Sequence, residues 1–76
     1  MNAIHQLRLR QRRLRKGGKL EHWAERLGIS PSYLSRLERG LVGRVDFEFL
    51  ERVKSLYGIS DEEVRRAISR SRSRRR

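Results

Sequence analysis

Arg36 is the residue of this chain best suited to reading a base edge. A guanidinium offers two parallel donors that match O6 and N7 of guanine. In helical register Arg36 falls opposite Leu34 and Leu37, on the side that faces solvent. Tyr33 carries a ring and a hydroxyl that suit a sugar, a thymine methyl or a phosphate; the same ring suits a packing seam between helices equally well. Ser32 is short and reaches only a nearby edge. Catalytic chemistry is not legible. His5 and His22 have no partner at metal-ligand spacing, and there is no Cys to supply a thiolate. Glu48 and Glu51, three apart, read as a solvated helix face, and Ser35 lies too near a helix centre to be a nucleophile. No set of nucleophile, base and orienting acid is present, so no enzyme activity, metal or cofactor is expected.

The charge points the same way as Arg36. Twenty Lys and Arg against nine Asp and Glu leave a net charge of +11. Arg70, Arg72, Arg74, Arg75 and Arg76 account for five of these charges, and the rest of the chain is still basic at +6. A basic body with a basic tail suits a polyanion, nucleic acid first and an anionic membrane surface second. The arginines of the first helical segment are spread around its circumference, which argues against a membrane-lying face. No apolar run approaches the roughly 18 residues of a membrane span, and no secretory leader is evident. A soluble cytoplasmic, nucleoid-associated protein is expected.

These side chains need a scaffold, and 76 residues allow one small domain with a thin core. Apolar spacing predicts a first helix over Ile4–Lys16, with Ile4, Leu7 and Leu14 near one face and Leu9 beside it, closed by Gly17 and Gly18. Leu20, Trp23, Ala24 and Leu27 form the stripe of a second helix that stops at Gly28. Ser30 caps and Pro31 opens a third, running to Arg39 with Leu34 and Leu37 inward. Asp46 caps a fourth, about Phe47–Tyr57, with Phe47, Leu50, Val53 and Tyr57 as its stripe. Ser60 with Glu63 makes a capping box for a fifth, continued by Val64 and Ile68. No segment alternates, so no sheet is expected. The expected fold is all-α: a compact five-helix domain over residues 1–68, with an unstructured Arg/Ser-rich basic tail over 69–76.

Two helices that cross steeply need a small residue where they touch, and Ala24 supplies it; the tight turn after them wants a positive φ, and Gly28 supplies that. The segments Ala24-Glu25-Arg26-Leu27-Gly28-Ile29-Ser30 and Tyr33-Leu34-Ser35-Arg36-Leu37-Glu38-Arg39-Gly40, with Tyr57-Gly58-Ile59-Ser60, resemble the lambda-repressor-like helix-turn-helix family of phage Cro and repressor proteins and their bacterial relatives. The resemblance covers residues 8–66. It implies a helix-turn-helix over 20–39 with its recognition helix at 31–39. It places base-reading positions at Pro31, Ser32, Tyr33 and Arg36, and phosphate contacts at Lys19, Ser30, Arg39 and Arg44. It also pairs Arg13 with Glu38. The chain departs from the pattern at Leu20 and Pro31, where many relatives carry Gln, and in a loop 41–45 that is one residue longer and lacks the common Pro. A proline cannot make the bidentate contact to adenine that Gln makes, so the sequence preference differs from that of Gln-reading relatives.

The resulting expectation is a sequence-specific duplex-DNA-binding regulator of transcription in a bacterium, phage or plasmid, a dimer on a palindromic site. The Arg-rich tail adds non-specific phosphate contacts. Two alternatives stay open. One is a protein-interaction module on the same fold, an antitoxin or adaptor, for which exposed Leu41, Val42 and Phe49 would speak. The other is a non-specific DNA or RNA binder driven by the tail.

Overall fold

The computed structural model describes residues 3–73, with side chains through residue 70. It is all-helical: α1 (Ala3–Gln6), α2 (Leu9–Lys16), α3 (Leu20–Leu27), α4 (Pro31–Glu38), α5 (Phe47–Tyr57) and α6 (Asp61–Ser73). No strand occurs among the described residues.

The helix expected over Ile4–Lys16 is divided. Arg8 adopts a left-handed conformation, φ 54° and ψ 52°, and α2 starts immediately after it. Leu7 and Leu9 explain the break. Two residues apart on one helix they would point about 200° apart, so only one could face the core. With the chain turned at Arg8 both are buried, at 3% and 1% exposure. A left-handed L-residue costs roughly 1–2 kcal/mol, while fully burying a leucine gains about 1.5–3 kcal/mol. Arg12 braces the turn by donating from Nε to the Leu7 carbonyl at 2.7 Å. The new register carries Leu14 out to solvent and Arg13 inward.

The later helices start and stop where their caps require. Ser30 Oγ accepts from the Tyr33 amide at 3.1 Å, and Asp46 Oδ1 accepts from the Phe49 amide at 2.7 Å. Gly28, at φ 74°, ends α3 while the Ile29 amide reaches back to the Ala24 carbonyl. Ala24 is fully buried where α3 meets α4. The stripe of α5 is shifted from its expected register: Phe47 is 74% exposed, and Phe49 is buried with Val53 and Tyr57. Phe49 stacks at 6.3 Å from the Tyr33 ring, a contact between helices that single-helix spacing does not contain. Val42 is likewise buried, so of the three apolar residues that would favour an adaptor surface only Leu41 is exposed.

Ser60 and Glu63 cap each other reciprocally at the start of α6. This helix buries Ala67 and packs along α1. It runs on to Ser73, so residues 69–73 continue the helix rather than leave it. Acids in its first turn and arginines beyond both suit the helix dipole. Arg74, Arg75 and Arg76 lie outside the described residues.

One buried polar network ties three helices together. Arg13 of α2 donates from Nε and Nη2 to the two carboxylate oxygens of Glu38, at 2.8 and 3.1 Å, and Tyr57 Oη of α5 donates to Glu38 Oε2 at 2.8 Å. The two charged side chains are 9% and 2% exposed. The Tyr57 ring in turn lies 4.7 Å from Trp23, whose indole N–H donates to the Gly17 carbonyl. Among the described residues every buried side-chain nitrogen and oxygen has a partner.

Removing one member of a buried ion pair strands the other charge. Glu38→Ala is therefore expected to cost about 3–5 kcal/mol, and Tyr57→Phe, which removes one bond to a charged group, about 1.5–3 kcal/mol. Urea denaturation of both variants measures this; a Glu38→Ala loss below about 1 kcal/mol, the range of surface pairs, would show that the network holds nothing. Burial, and after it the bond to Glu38, keep the Tyr57 hydroxyl protonated well above its ordinary pKa of 10.0. Its contribution is complete below pH 10 and is lost as pH rises beyond, so Tyr57→Phe should flatten the alkaline limb of stability against pH.

The acid limb has a separate origin. The Ser60 amide, and then Arg12 at 2.6 Å, hold the Glu63 carboxyl below its ordinary pKa of 4.5, and Lys54 does the same for Asp61. Ionised carboxylates favoured in the fold contribute above pH 4.5, and that contribution is lost as pH falls through their lowered values. Glu63→Gln is expected to flatten the melting temperature between pH 5 and pH 2; an acid limb as steep as wild type would place its cause elsewhere.

Candidate nucleic-acid interface

The α3–turn–α4 unit decides what α4 presents. Leu34, Leu37 and Glu38 are buried, so the opposite side of α4 faces outward. Ser32 and Arg36 lie there, exposed, with Pro31 at the helix start. Pro31, Ser32, Ser35, Arg36 and Arg39 line one shallow depression together with Leu20 of α3. Base-reading candidates and one phosphate candidate therefore share a single surface.

Tyr33 is only half exposed. Its ring leans on Phe49, and its amide is the donor to the Ser30 cap. It serves the packing of α4 on α5 and shows the rest of its ring at the edge of that surface. Ser30 is exposed, with its hydroxyl already accepting the cap bond. Arg39 donates from Nε to the Ser35 carbonyl at 3.4 Å, which lays its guanidinium along the end of α4. Lys19 is exposed at the start of α3. Arg44 sits apart from the α4 depression: it borders an apolar recess among α1, α5 and α6. The backbone at Arg70 and Arg72 belongs to the last turns of α6.

Arg10 joins this surface although single-sequence reasoning did not select it. It is exposed and, with Arg39, Ser35 and Leu20, lines a second concavity beside the first; the Arg13–Glu38 pair lies at the base of this second one. A signal for it did exist. Once Arg13 turns inward to Glu38, Arg10 must lie one turn earlier on the same flank of α2.

The electrostatics are one-sided. Between Gly28 and Val45 the chain has three arginines, Arg36, Arg39 and Arg44, and a single acid, Glu38. Glu38 is buried and engaged by Arg13 and Tyr57, so no carboxylate of this segment opposes the arginines at the surface. A helix that carries donors, a cation and a free amino-terminal end, and that is anchored from behind, can enter a groove of a polyanion and hydrogen-bond to its edges.

Comparison with known proteins agrees with this geometry. The model of a helix-turn-helix domain family matches residues 7–67. Over 53 residues, 70% of this chain, the sequence is 40% identical to the HTH-type transcriptional regulator SinR of Bacillus subtilis (strain 168), and equally so to SinR of Bacillus licheniformis. That stretch is 48% of each relative, so the chain spans about half the length of the curated relatives it matches. No solved structure matches the chain significantly. The Ala24–Ser30 turn, the outward face of α4 and the family match over residues 7–67 agree: the chain belongs to the helix-turn-helix domain family, in its lambda-repressor-like form.

Proposed function

We propose that this domain binds duplex DNA sequence-specifically and regulates transcription, with α4 in the major groove. The carrying observation is the division of labour along α4. Leu34, Leu37 and Glu38 hold the helix from behind, while Ser32 and Arg36 are free to approach bases. Arg36 reads a guanine, Ser32 and the exposed part of Tyr33 contribute near the groove edge, and Pro31 contributes shape alone. Lys19, Ser30 and Arg39 meet phosphates on either side of the groove, joined by Arg10; Arg44 meets a phosphate further along. The resemblance to proteins named as transcriptional regulators supports the regulatory role. Such domains place two recognition helices one helical turn apart on a palindrome, and a two-fold dimer is the assembly we assign. No helix among the described residues is long and apolar enough to cross a membrane, which suits a nucleoid-associated, cytoplasmic role.

Arg36→Ala is expected to relax preference at one base pair per half-site, with a loss of about 1–3 kcal/mol of discrimination. The fold should not change, because Arg36 is exposed and makes no ion pair among the described residues. Site selection from random duplexes, followed by competition with single-base variants, reads this directly. A preference profile identical to wild type would refute the assignment of Arg36, and the absence of any selected motif would refute specific binding.

The tail tests the non-specific component. Truncation after Ser69 removes Arg70, Arg72, Arg74, Arg75 and Arg76 and nothing that is buried among the described residues, since Ala67 is the last buried side chain. Specific and random duplexes should both weaken, by similar factors. The slope of log K against log salt should flatten by up to about 4–5 if all five charges engage phosphates. An unchanged slope in a folded truncation would assign the tail to something other than DNA.

A further inference from the structure

A further concavity lies away from the one beside α4. It opens between the α2–α3 connection, the outer side of α3 and α5. Its volume is about 670 Å³, within the roughly 300–1,000 Å³ of ordinary ligand clefts. Lys16, His22, Arg26 and Arg52 stand around it; the core residues Trp23 and Leu27, 8% and 2% exposed, form its floor, and half-buried Leu56 one wall. No acid lines it.

These cations have no structural task that explains their convergence. None of the four forms an ion pair among the described residues. The Arg52 guanidinium lies over the Phe49 ring at 5.6 Å, a cation–π contact that holds it in place without a carboxylate partner. The carboxylates nearest in sequence do not line the cleft: Glu51 pairs with Lys54, and Glu21, Glu25 and Glu48 are absent from its lining. Three exposed positive charges around one concavity with no acid in its lining make its potential favourable to an anion.

DNA held by α4 does not supply that anion. On α3, His22 and Arg26 lie about 160° and about 120° around the helix from Leu20, at about 100° per residue, and Leu20 borders the α4 depression. The two concavities share no lining residue. The cleft therefore belongs to a different flank of the domain.

We propose that this cleft binds a small molecule in which a multiply charged anion, a phosphate ester or a dicarboxylate, is joined to a compact apolar body. Lys16, Arg26 and Arg52 take the anionic group, with Ser55 as a neutral hydrogen-bonding group. Trp23, Leu27 and Leu56 take the apolar part. His22 adds a ring nitrogen as a further hydrogen-bonding group. An anion alone satisfies only the rim, and an apolar body alone leaves the cations unopposed, so both parts are needed.

Trp23 is the only tryptophan of the chain and lines the cleft, so its fluorescence reports occupancy directly. The probes are phenyl phosphate, phthalate, inorganic phosphate and phenol, titrated into the full chain at constant ionic strength. Phenyl phosphate or phthalate should give a saturable change, and whichever binds more tightly identifies the anionic group. Inorganic phosphate and phenol should each bind at least tenfold more weakly. Arg26→Gln/Arg52→Gln should weaken the tighter probe at least tenfold while circular dichroism stays that of wild type, and Arg36→Ala should leave the titration unchanged. The proposal is overturned by the absence of saturation with both compound probes, or by inorganic phosphate or phenol alone binding as tightly as the compound probe. Saturation that survives in the folded double variant, or that is lost with Arg36→Ala, also overturns it. None of these results bears on sequence-specific binding through α4, which site selection tests independently.

Discussion

The geometry of this domain depends on Glu38 being unavailable to solvent. Glu38 is the last residue of α4, and it is held by Arg13 from α2 and Tyr57 from α5. A buried ion pair contributes little to stability against an apolar alternative, because desolvation offsets most of the Coulomb gain. What it does set is register. Two bidentate bonds and a phenolic one fix the rotation of α4 about its own axis. A helix turned by one residue would break all three and expose a carboxylate among the arginines. The outward face of α4 is thus set from behind, by the Arg13–Glu38–Tyr57 network.

Much of this was legible in the sequence, for reasons that differ between elements. Caps and glycines are local: Ser30, Asp46, Gly28, Gly58 and the Ser60–Glu63 box end or start helices through bonds to residues a few positions away. They could be read directly. The break at Arg8 could not, because it answers to two leucines competing for a core that exists only once α4, α5 and α6 are in place. Phe47 and Phe49 failed for the same reason. Both are compatible with an amphipathic α5, and the choice is made across helices, by the Tyr33 ring of α4.

The interface was legible in kind but not in extent. That α4 turns Arg36 outward follows from the positions of Leu34 and Leu37 alone. That Arg10 borders the same surface, and that Arg44 does not, depends on how α2 and the 41–46 loop are folded over the core. Tyr33 is the instructive middle case. Both readings of its ring were open in the sequence, and the fold uses it for packing while leaving part of it at the surface.

The left-handed turn at Arg8 has a consequence for how the chain closes. It cuts off a four-residue helix too short to be stable by itself, and that helix packs on α6, close to the other end of the sequence. The first and last helices therefore depend on each other. Neither is expected to persist when the other lets go, so the two ends should open as one cooperative unit while the α3–α4 pair stays closed. Their contact also spans one of the longest loops the chain can form, which makes it a late event in folding. A change in α1 or in α6 is in this sense a change in both.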